Sequence, residues 1–363
     1  MIPVSLPYLP DQKKYTRYVR KIYDTHRLTN DGPLVNELSV RLKEHLGVSN
    51  IVLVANGTLA LQIAYQVVGL STPGKTSEVV TSPFSFVATS SSLAWQGIRC
   101  VYTDIDPDTW CLNPSQIDDG VTNLTRGIVP VHVFGNGCDI DKIRGVARKH
   151  GLKVVYDAAH AFDVKFQGHS ILLEGDASVL SFHATKLFHT IEGGAIVFRE
   201  GEHAEHAKSL INFGDVTRGD RSLMGINAKM NEFQAAMGLC VLDDFHTIVE
   251  RRKEIVAMYQ DELQDVCLFQ RRNPSCTGNY SYFPVLMETE ARLIDGIKQL
   301  ELAGYGARRY FHPSLDKWIE NSRMVSARVS HDISSRIMCL PLFPGLAETD
   351  VKKICRICKM AQR

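Results

Sequence analysis

The chain reads as an α/β protein. A large domain carries a mostly parallel mixed sheet flanked by helices, and a smaller α+β domain follows at the C-terminal end. Three observations predict this. Short apolar runs of strand length alternate with helix-length amphipathic stretches through the first two thirds of the sequence. The length of 363 residues exceeds the ~250–300 residues at which a single core stops growing. Residues suited to chemistry fall just past the ends of apolar runs, where ligands of parallel sheets bind. The expected division is 1–240 for the large domain, with its N-terminal helical segment, and 241–363 for the small one.

In chain order, a helix is expected from Gln12 to Tyr23, broken by Leu28-Thr29-Asn30-Asp31-Gly32-Pro33. A second helix places Leu34, Leu38, Leu42 and Leu46 on one face and stops at Gly47. Then come a strand at Ile51–Ala55, a helix at Leu59–Leu70, a strand at Glu78–Thr81 and a helix at Val87–Gln96. Strands at Cys100–Asp104 and Gly127–His132 precede a helix at Ile140–His150. Strands at Lys153–Asp157, Val179–Phe182 and Ala195–Phe198 complete the alternation. A long helix starts near Asn231 and runs beyond Arg251. The remaining third mixes short strands, Tyr280–Leu286 and Arg336–Leu340, with helices. His203 and His206 fall in a charged segment and are expected to face solvent.

Net charge is +1, which gives no electrostatic footprint for nucleic acid or an anionic membrane. No apolar run approaches the ~18 residues of a membrane-spanning helix. The start, Met1-Ile2-Pro3-Val4-Ser5-Leu6-Pro7, lacks the basic and apolar regions of a signal peptide. The nine cysteines are odd in number and show no framework spacing. Reduced thiols in a cytoplasmic protein follow. Cys355 and Cys358 form a tight pair without partners for a metal site, so burial in a C-terminal helix is expected and no metal is called for.

The chemistry centres on Lys186, in Ser181-Phe182-His183-Ala184-Thr185-Lys186, shortly before Glu192-Gly193-Gly194. Upstream, an apolar run ends on Asp157, followed by Ala158-Ala159-His160. A strand-end Asp, a Ser, a Lys and a glycine pair are what a pyridoxal 5'-phosphate enzyme requires. The Lys holds the aldehyde, the Asp keeps the pyridine nitrogen protonated, and Ser181 takes a phosphate oxygen. A lysine in a confined site becomes neutral and nucleophilic, and its freed amine can shuttle the proton of a transamination. Asn56-Gly57-Thr58 joins a strand to a helix. Taken alone it is an ordinary turn with a threonine cap; beside Lys186 and Asp157 it reads as a phosphate cup of Gly57, Thr58 and Leu59. Phe86, in Pro83-Phe84-Ser85-Phe86-Val87-Ala88-Thr89, is either a core aromatic or a ring that stacks on the cofactor. Asp157 alone could cap a helix. His160 is either a satisfied buried histidine or a partner of the cofactor's phenolic oxygen.

Six motifs in order then resemble the DegT/DnrJ/EryC1/StrS family of sugar-nucleotide aminotransferases. They are Gly57-Thr58-Leu59-Ala60-Leu61, Pro83 to Thr89, Pro130-Val131-His132-Val133-Phe134-Gly135, Asp157 to His160, Ser181 to Gly194, and Gly225-Ile226-Asn227-Ala228-Lys229-Met230 with Gln234-Ala235-Ala236. The resemblance implies a type I aminotransferase fold and a homodimer with shared active sites. It implies that Asn227 reaches the neighbouring subunit's cofactor phosphate. It implies pyridoxal 5'-phosphate, cycling through pyridoxamine 5'-phosphate, with L-glutamate as donor and a nucleotide-linked keto-deoxy sugar as acceptor. Pro7-Tyr8-Leu9-Pro10, Leu28 to Pro33 and Arg308-Arg309-Tyr310-Phe311-His312-Pro313 resemble members that aminate dTDP-4-keto-6-deoxyglucose for O-antigen and lipopolysaccharide biosynthesis. Asn30, Arg308, Tyr310 and His312 are accordingly expected to line the sugar-nucleotide cleft. Amination at C3, or a non-catalytic regulator on the same scaffold, are the alternatives. Lys229 stands where relatives often carry Arg, and it lacks the bidentate fork.

Overall fold

The computed structural model describes residues 1–71, 74, 76–214 and 224–362. Helices α1 (Gln12–Thr25) and α2 (Pro33–Leu46) lead into an alternation of strands and helices. It comprises β1 (Ile51–Val54), α3 (Gly57–Val67), β2 (Ser77–Thr81), α4 (Val87–Trp95), β3 (Ile98–Tyr102), a single turn α5 (Ile117–Gly120), β4 (Thr125–Ile128), α6 (Ile140–His150) and β5 (Lys153–Asp157). A hairpin of β6 (Lys165–Phe166) and β7 (His169–Ser170) precedes β8 (Ala177–Ser181), β9 (Gly194–Phe198) and α7 (Gly201–Leu210). Helix α8 (Glu232–Leu263) then crosses from the large sheet to the C-terminal elements β10 (Pro284–Leu286), α9 (Glu290–Leu302), β11 (Ser322–Met324), α10 (Arg328–Arg336), β12 (Ile337–Cys339) and α11 (Glu348–Ala361).

Eight strands form one sheet in the order β1-β9-β8-β5-β4-β2-β3-β11. β9 pairs antiparallel with both neighbours, and every other pairing is parallel. The carboxyl ends of β1, β2, β4, β5 and β8 therefore meet at one edge. β1, β2 and β9 are buried along their whole length, as expected for a sheet covered on both faces. One apolar cluster fills the side of α1, α2, α6 and the first half of α8, and another the side of α3, α4 and α7. A third joins the second half of α8 to β10, β12, α9 and α11. Position 240 falls inside α8, and β11, from the C-terminal third, pairs with β3 in the large sheet.

Several expectations shift for local reasons. β4 ends at Ile128, because Pro130 has no N–H to continue the ladder. Only Pro284–Leu286 of the Tyr280–Leu286 run is strand. Tyr280 has a positive φ of 58°, and the carbonyls of Tyr280 and Ser281 are taken by Arg252. His203 and His206 do not simply face solvent. They lie on α7 half-buried, with His203 edge-on to Phe198 at 6.1 Å. Ala204, Ala207 and Leu210 turn that helix onto the sheet and leave Glu202 and Glu205 outside. Cys355 and Cys358 are buried on α11 as expected.

Two buried carboxylates cap helices from far away in sequence. Glu232, 1% exposed, accepts from Leu34 N at 2.9 Å and Val35 N at 2.8 Å, so α8 caps α2. Gly32 leaves the space for it, since a Cβ there would stand 2.6 Å from the Glu232 carboxyl carbon. Asp104 does the same for α10, accepting from Val329 N at 2.7 Å and Ser330 N at 2.8 Å. Each supplies acceptors to orphan N–H groups at a helix start and sits at the positive end of its dipole. Replacing Glu232 with Ala strands those donors in the core. The expected loss is about 2–4 kcal/mol of folding stability, for two charge-assisted hydrogen bonds, measured as a shift in denaturant midpoint. A variant within about 0.5 kcal/mol of the parent would contradict the assignment.

Candidate active site

At the shared carboxyl edge lies a cavity of about 620 Å³. Five of the parallel strands send residues into it: Asn56 to Leu59 after β1, Ser85 and Phe86 after β2, Val131 after β4, Asp157, Ala159 and His160 at the end of β5, and Ser181 at the end of β8. Lys186 enters from the loop between β8 and β9. Hydrogen bonds pin that loop at both ends, Phe182 N to Gly193 O at 2.8 Å and Thr190 N to Phe182 O at 2.9 Å. Phe188 anchors it by stacking on Phe162 at 4.5 Å. Arg308, Tyr310, Phe311 and Tyr282 close the far wall.

The Lys186 side chain is half-buried in the cavity wall. Burial pushes its amine down to about 8, with Asp157 pulling the other way. Asp157 is 5% exposed. Its Oδ2 accepts from Thr89 Oγ1 at 2.7 Å and its Oδ1 from Ala159 N at 3.1 Å. Ser85 and Thr89 share a further hydrogen bond at 2.7 Å. Burial raises the Asp157 carboxyl above its ordinary range, while those donors and Lys186 lower it. A buried carboxylate in that position calls for a cation. The imidazole of His160 accepts from Phe134 N through Nδ1 at 3.2 Å. Burial and Lys186 keep it neutral, so its proton sits on Nε2.

The start of α3 forms the phosphate end. Asn56 caps the helix and takes the Leu59 N–H at 2.9 Å. The N–H groups free for an anion are thus those of Gly57 and Thr58. Leu59 lines the cavity without offering its own, which corrects the three-residue cup expected from the sequence. The backbone here is crowded. A Cβ on Gly57 would lie 2.9 Å from the Ser181 Cβ, and one on Gly194 2.8 Å from the Asn56 carbonyl carbon. Both glycines are required for β1, β8 and β9 to bring the helix start beside the Ser181 hydroxyl.

These features fit pyridoxal phosphate. Gly57, Thr58 and Ser181 offer donors for a phosphate. Asp157 offers a buried carboxylate for a pyridinium nitrogen, His160 an N–H for a phenolic oxygen, and Phe86 a half-exposed ring at the cavity wall. Among the described residues no cluster of three or more His, Cys, Asp or Glu side chains could hold a metal ion.

Other expected residues lie elsewhere. Asn30 is exposed with φ 60° in the turn before α2, outside the cavity wall. His312 is also exposed and outside it, with its ring against Arg309 at 3.1 Å. Asn227 is exposed, bridges to Asn212 and does not line this chain's cavity. The Pro7–Pro10 segment straps the lysine loop instead. Tyr8 O accepts from His189 Nε2 at 2.8 Å, and Tyr8 Oη donates to Asp244 at 3.1 Å. Sequence reasoning overlooked Thr89 and Tyr282. A Ser–Thr pair four residues apart at a helix start was the available signal for Thr89. Tyr282 lies 96 residues beyond Lys186 with no local signal.

A strand-end carboxylate and a lysine on one cavity, beside a helix-start anion cup, fit a pyridoxal phosphate-dependent enzyme on an α/β scaffold. The chain belongs to the DegT/DnrJ/EryC1/StrS aminotransferase family, whose profile matches residues 10–359. A dTDP-4-amino-4,6-dideoxy-D-glucose transaminase of Shigella dysenteriae is 38% identical over 351 residues, which cover 95% of this chain and 94% of the relative. An Escherichia coli protein of the same name is 33% identical over 369 residues, covering 98% and 97%. The crystal structure of DesI in the presence of its TDP-sugar product matches with a TM-score of 0.93 at 32% identity, covering 99% of this chain and 93% of that one.

The lowered lysine makes a pH prediction. An amine with a pKa of about 8 is neutral above that pH and protonated below it. Covalent capture of pyridoxal phosphate by cofactor-free protein should therefore accelerate as pH rises through about 8 and level off beyond it. A rate still climbing steeply at pH 10 would show an amine unperturbed by burial.

Proposed function

We propose that this enzyme transfers the amino group of L-glutamate to C4 of dTDP-4-keto-6-deoxy-D-glucose, giving dTDP-4-amino-4,6-dideoxy-D-glucose, as a cytoplasmic homodimer. The observation that carries the reading is the pair of Lys186 and Asp157 on one cavity, in a chain whose relatives named above act on this class of nucleotide sugar. Among the described residues no helix is long and apolar enough to cross a membrane.

When bound, the cofactor supplies the electron sink that lets a proton leave the carbon bearing the amino group. The chain's own residues do the rest. Gly57, Thr58 and Ser181 would hold the phosphate, and Phe86 would supply an aromatic surface for the ring. Asp157 keeps the ring nitrogen protonated; Thr89 and the Ala159 N–H hold its two oxygens in place. His160 donates from Nε2. The Lys186 amine, uncharged in part at neutral pH, accepts the proton and returns it one position along. Arg308 lines the cavity with its guanidinium over the Tyr310 ring at 4.8 Å. Its backbone exchanges two hydrogen bonds with Cys339, which fixes the arginine's base. It suits a pyrophosphate or a donor carboxylate. Asn227, remote from its own cavity, is suited to the phosphate of a neighbouring subunit.

Purified protein with pyridoxal phosphate, L-glutamate and dTDP-4-keto-6-deoxyglucose is expected to yield a product whose NMR spectrum places nitrogen at C4. Nitrogen at C3 of an isomerised sugar, or no aminated sugar, would overturn the proposal. Asp157→Asn removes the charge opposite the ring nitrogen. It should lower turnover by at least about 100-fold, the scale of losing one preorganised electrostatic partner, while retaining bound cofactor. Turnover within threefold of the parent would assign the ring nitrogen to another group.

A further inference from the structure

The Lys186 Nζ lies 3.4 Å from the Tyr282 phenol oxygen, and that amine is the phenol's one hydrogen-bond partner among the described residues. The Tyr282 ring is wedged between neighbours. It meets the His160 imidazole at 4.7 Å and the Phe134 ring at 5.7 Å, tilted against both. Tyr310 closes on it edge-on at 5.8 Å.

The backbone leading to Tyr282 is strapped down as firmly. Asn279 Nδ2 donates to the carbonyls of His160 and Phe162 at 2.8 and 2.9 Å, and Ser281 Oγ donates to His160 O at 2.9 Å. From α8, Arg252 donates Nε to Tyr280 O at 2.8 Å and Nη2 to Ser281 O at 2.6 Å. Arg252 is 6% exposed and has no carboxylate partner among the described residues. An unpaired guanidinium is costly to bury, yet here it is spent on two carbonyls next to Tyr282. The space enclosed by Ala159, Ser281, Tyr282 and the lysine stem has no room for a water.

We propose that Tyr282 is a positioning residue for Lys186. Its phenol holds the lysine amine against the cavity wall whenever that amine is free, and Arg252 with the Asn279–Ser281 strap fixes the phenol. The hydroxyl serves both states of the amine: it accepts from the ammonium and donates to the lone pair of the neutral form. Burial keeps the phenol protonated, pushing it far above its ordinary range while Arg252 and Arg308 oppose. A lysine stem has four rotatable bonds. Without the phenol the freed amine samples rotamers pointing away from the reacting carbon, and rate is lost through geometry rather than binding.

The proposal rests on Lys186 being the amine that takes the cofactor, and the test separates the two. Cofactor-free protein is mixed with pyridoxal phosphate in a stopped-flow instrument, and growth of visible absorbance reports capture by the lysine, with no donor or sugar present. Tyr282→Phe keeps the ring and removes the hydroxyl. Its capture rate should fall at least about tenfold, as expected for a misoriented nucleophile. Final absorbance and thermal midpoint should match the parent. In turnover kcat should fall while KM for both substrates stays within about twofold. 3-Fluorotyrosine at position 282 restores the hydroxyl and should restore the rate. Capture and kcat in Tyr282→Phe equal to the parent would overturn the proposal. So would a slow capture that 3-fluorotyrosine does not restore. Absence of visible absorbance in the parent protein would overturn the reading of Lys186 itself, and this proposal with it.

Discussion

A lysine that is to attack a carbonyl near neutral pH must first lose its charge. In water, at its ordinary value, about one lysine amine in three thousand is neutral at pH 7. At about 8, the value burial gives Lys186, the fraction is about a tenth. The gain comes from enclosure, and enclosure is opposed by the Asp157 carboxylate in the same cavity. The two requirements conflict. The cofactor ring needs a buried anion, and that anion tends to keep the lysine protonated. The site reconciles them with two neutral hydrogen-bond donors. Thr89 and the Ala159 N–H stabilise the Asp157 carboxylate, so it does not depend on Lys186 as its counter-ion.

The fold serves that arrangement by collecting strand ends. β1, β2, β4, β5 and β8 run the same way, so one edge of the sheet gathers a helix start, an aromatic, a carboxylate and a hydroxyl contributed by segments up to 125 residues apart, from Asn56 to Ser181. β9 runs the other way and returns the chain beneath the Lys186 loop. Helix α8 then ties the layers together. At its start Asn231 and Gln234 form a capping box, and Gln234 also donates to Glu192 O at 2.7 Å. Glu232 caps α2, and farther along Arg252 holds the Tyr280–Ser281 backbone. One helix thus touches the lysine loop, the N-terminal helices and the tyrosine wall. A change at its buried face is felt at all three.

Much of this was legible because the signals were local. Leu34, Leu38, Leu42 and Leu46 marked α2, and all four are buried. The apolar run into Asp157 marked β5 to the residue, and Ile140–His150 marked α6. The residues bracketing Lys186 could be read from spacing, since a strand-end Asp and a loop Lys follow one another along the chain. What escaped was non-local or disguised. Tyr282 reaches Lys186 only through tertiary folding. β11 is three residues long and belongs to a sheet whose other strands end more than a hundred residues earlier. α7 hid its apolar face among Glu and His. Leu59 was read as a phosphate donor because the Asn56 side chain's claim on its N–H depends on a χ rotation that sequence does not show. Asn30 and His312 were placed in the cleft by family likeness, and this chain's own fold puts both at the exposed surface outside the cavity wall.

On the proposed reading Lys186, and no other lysine of this chain, carries the cofactor. Borohydride reduction of the holoprotein followed by peptide mass mapping tests it directly. A single phosphopyridoxyl adduct is expected, on the peptide containing Lys186. An adduct on Lys229 or another lysine, with Lys186 unmodified, would contradict it.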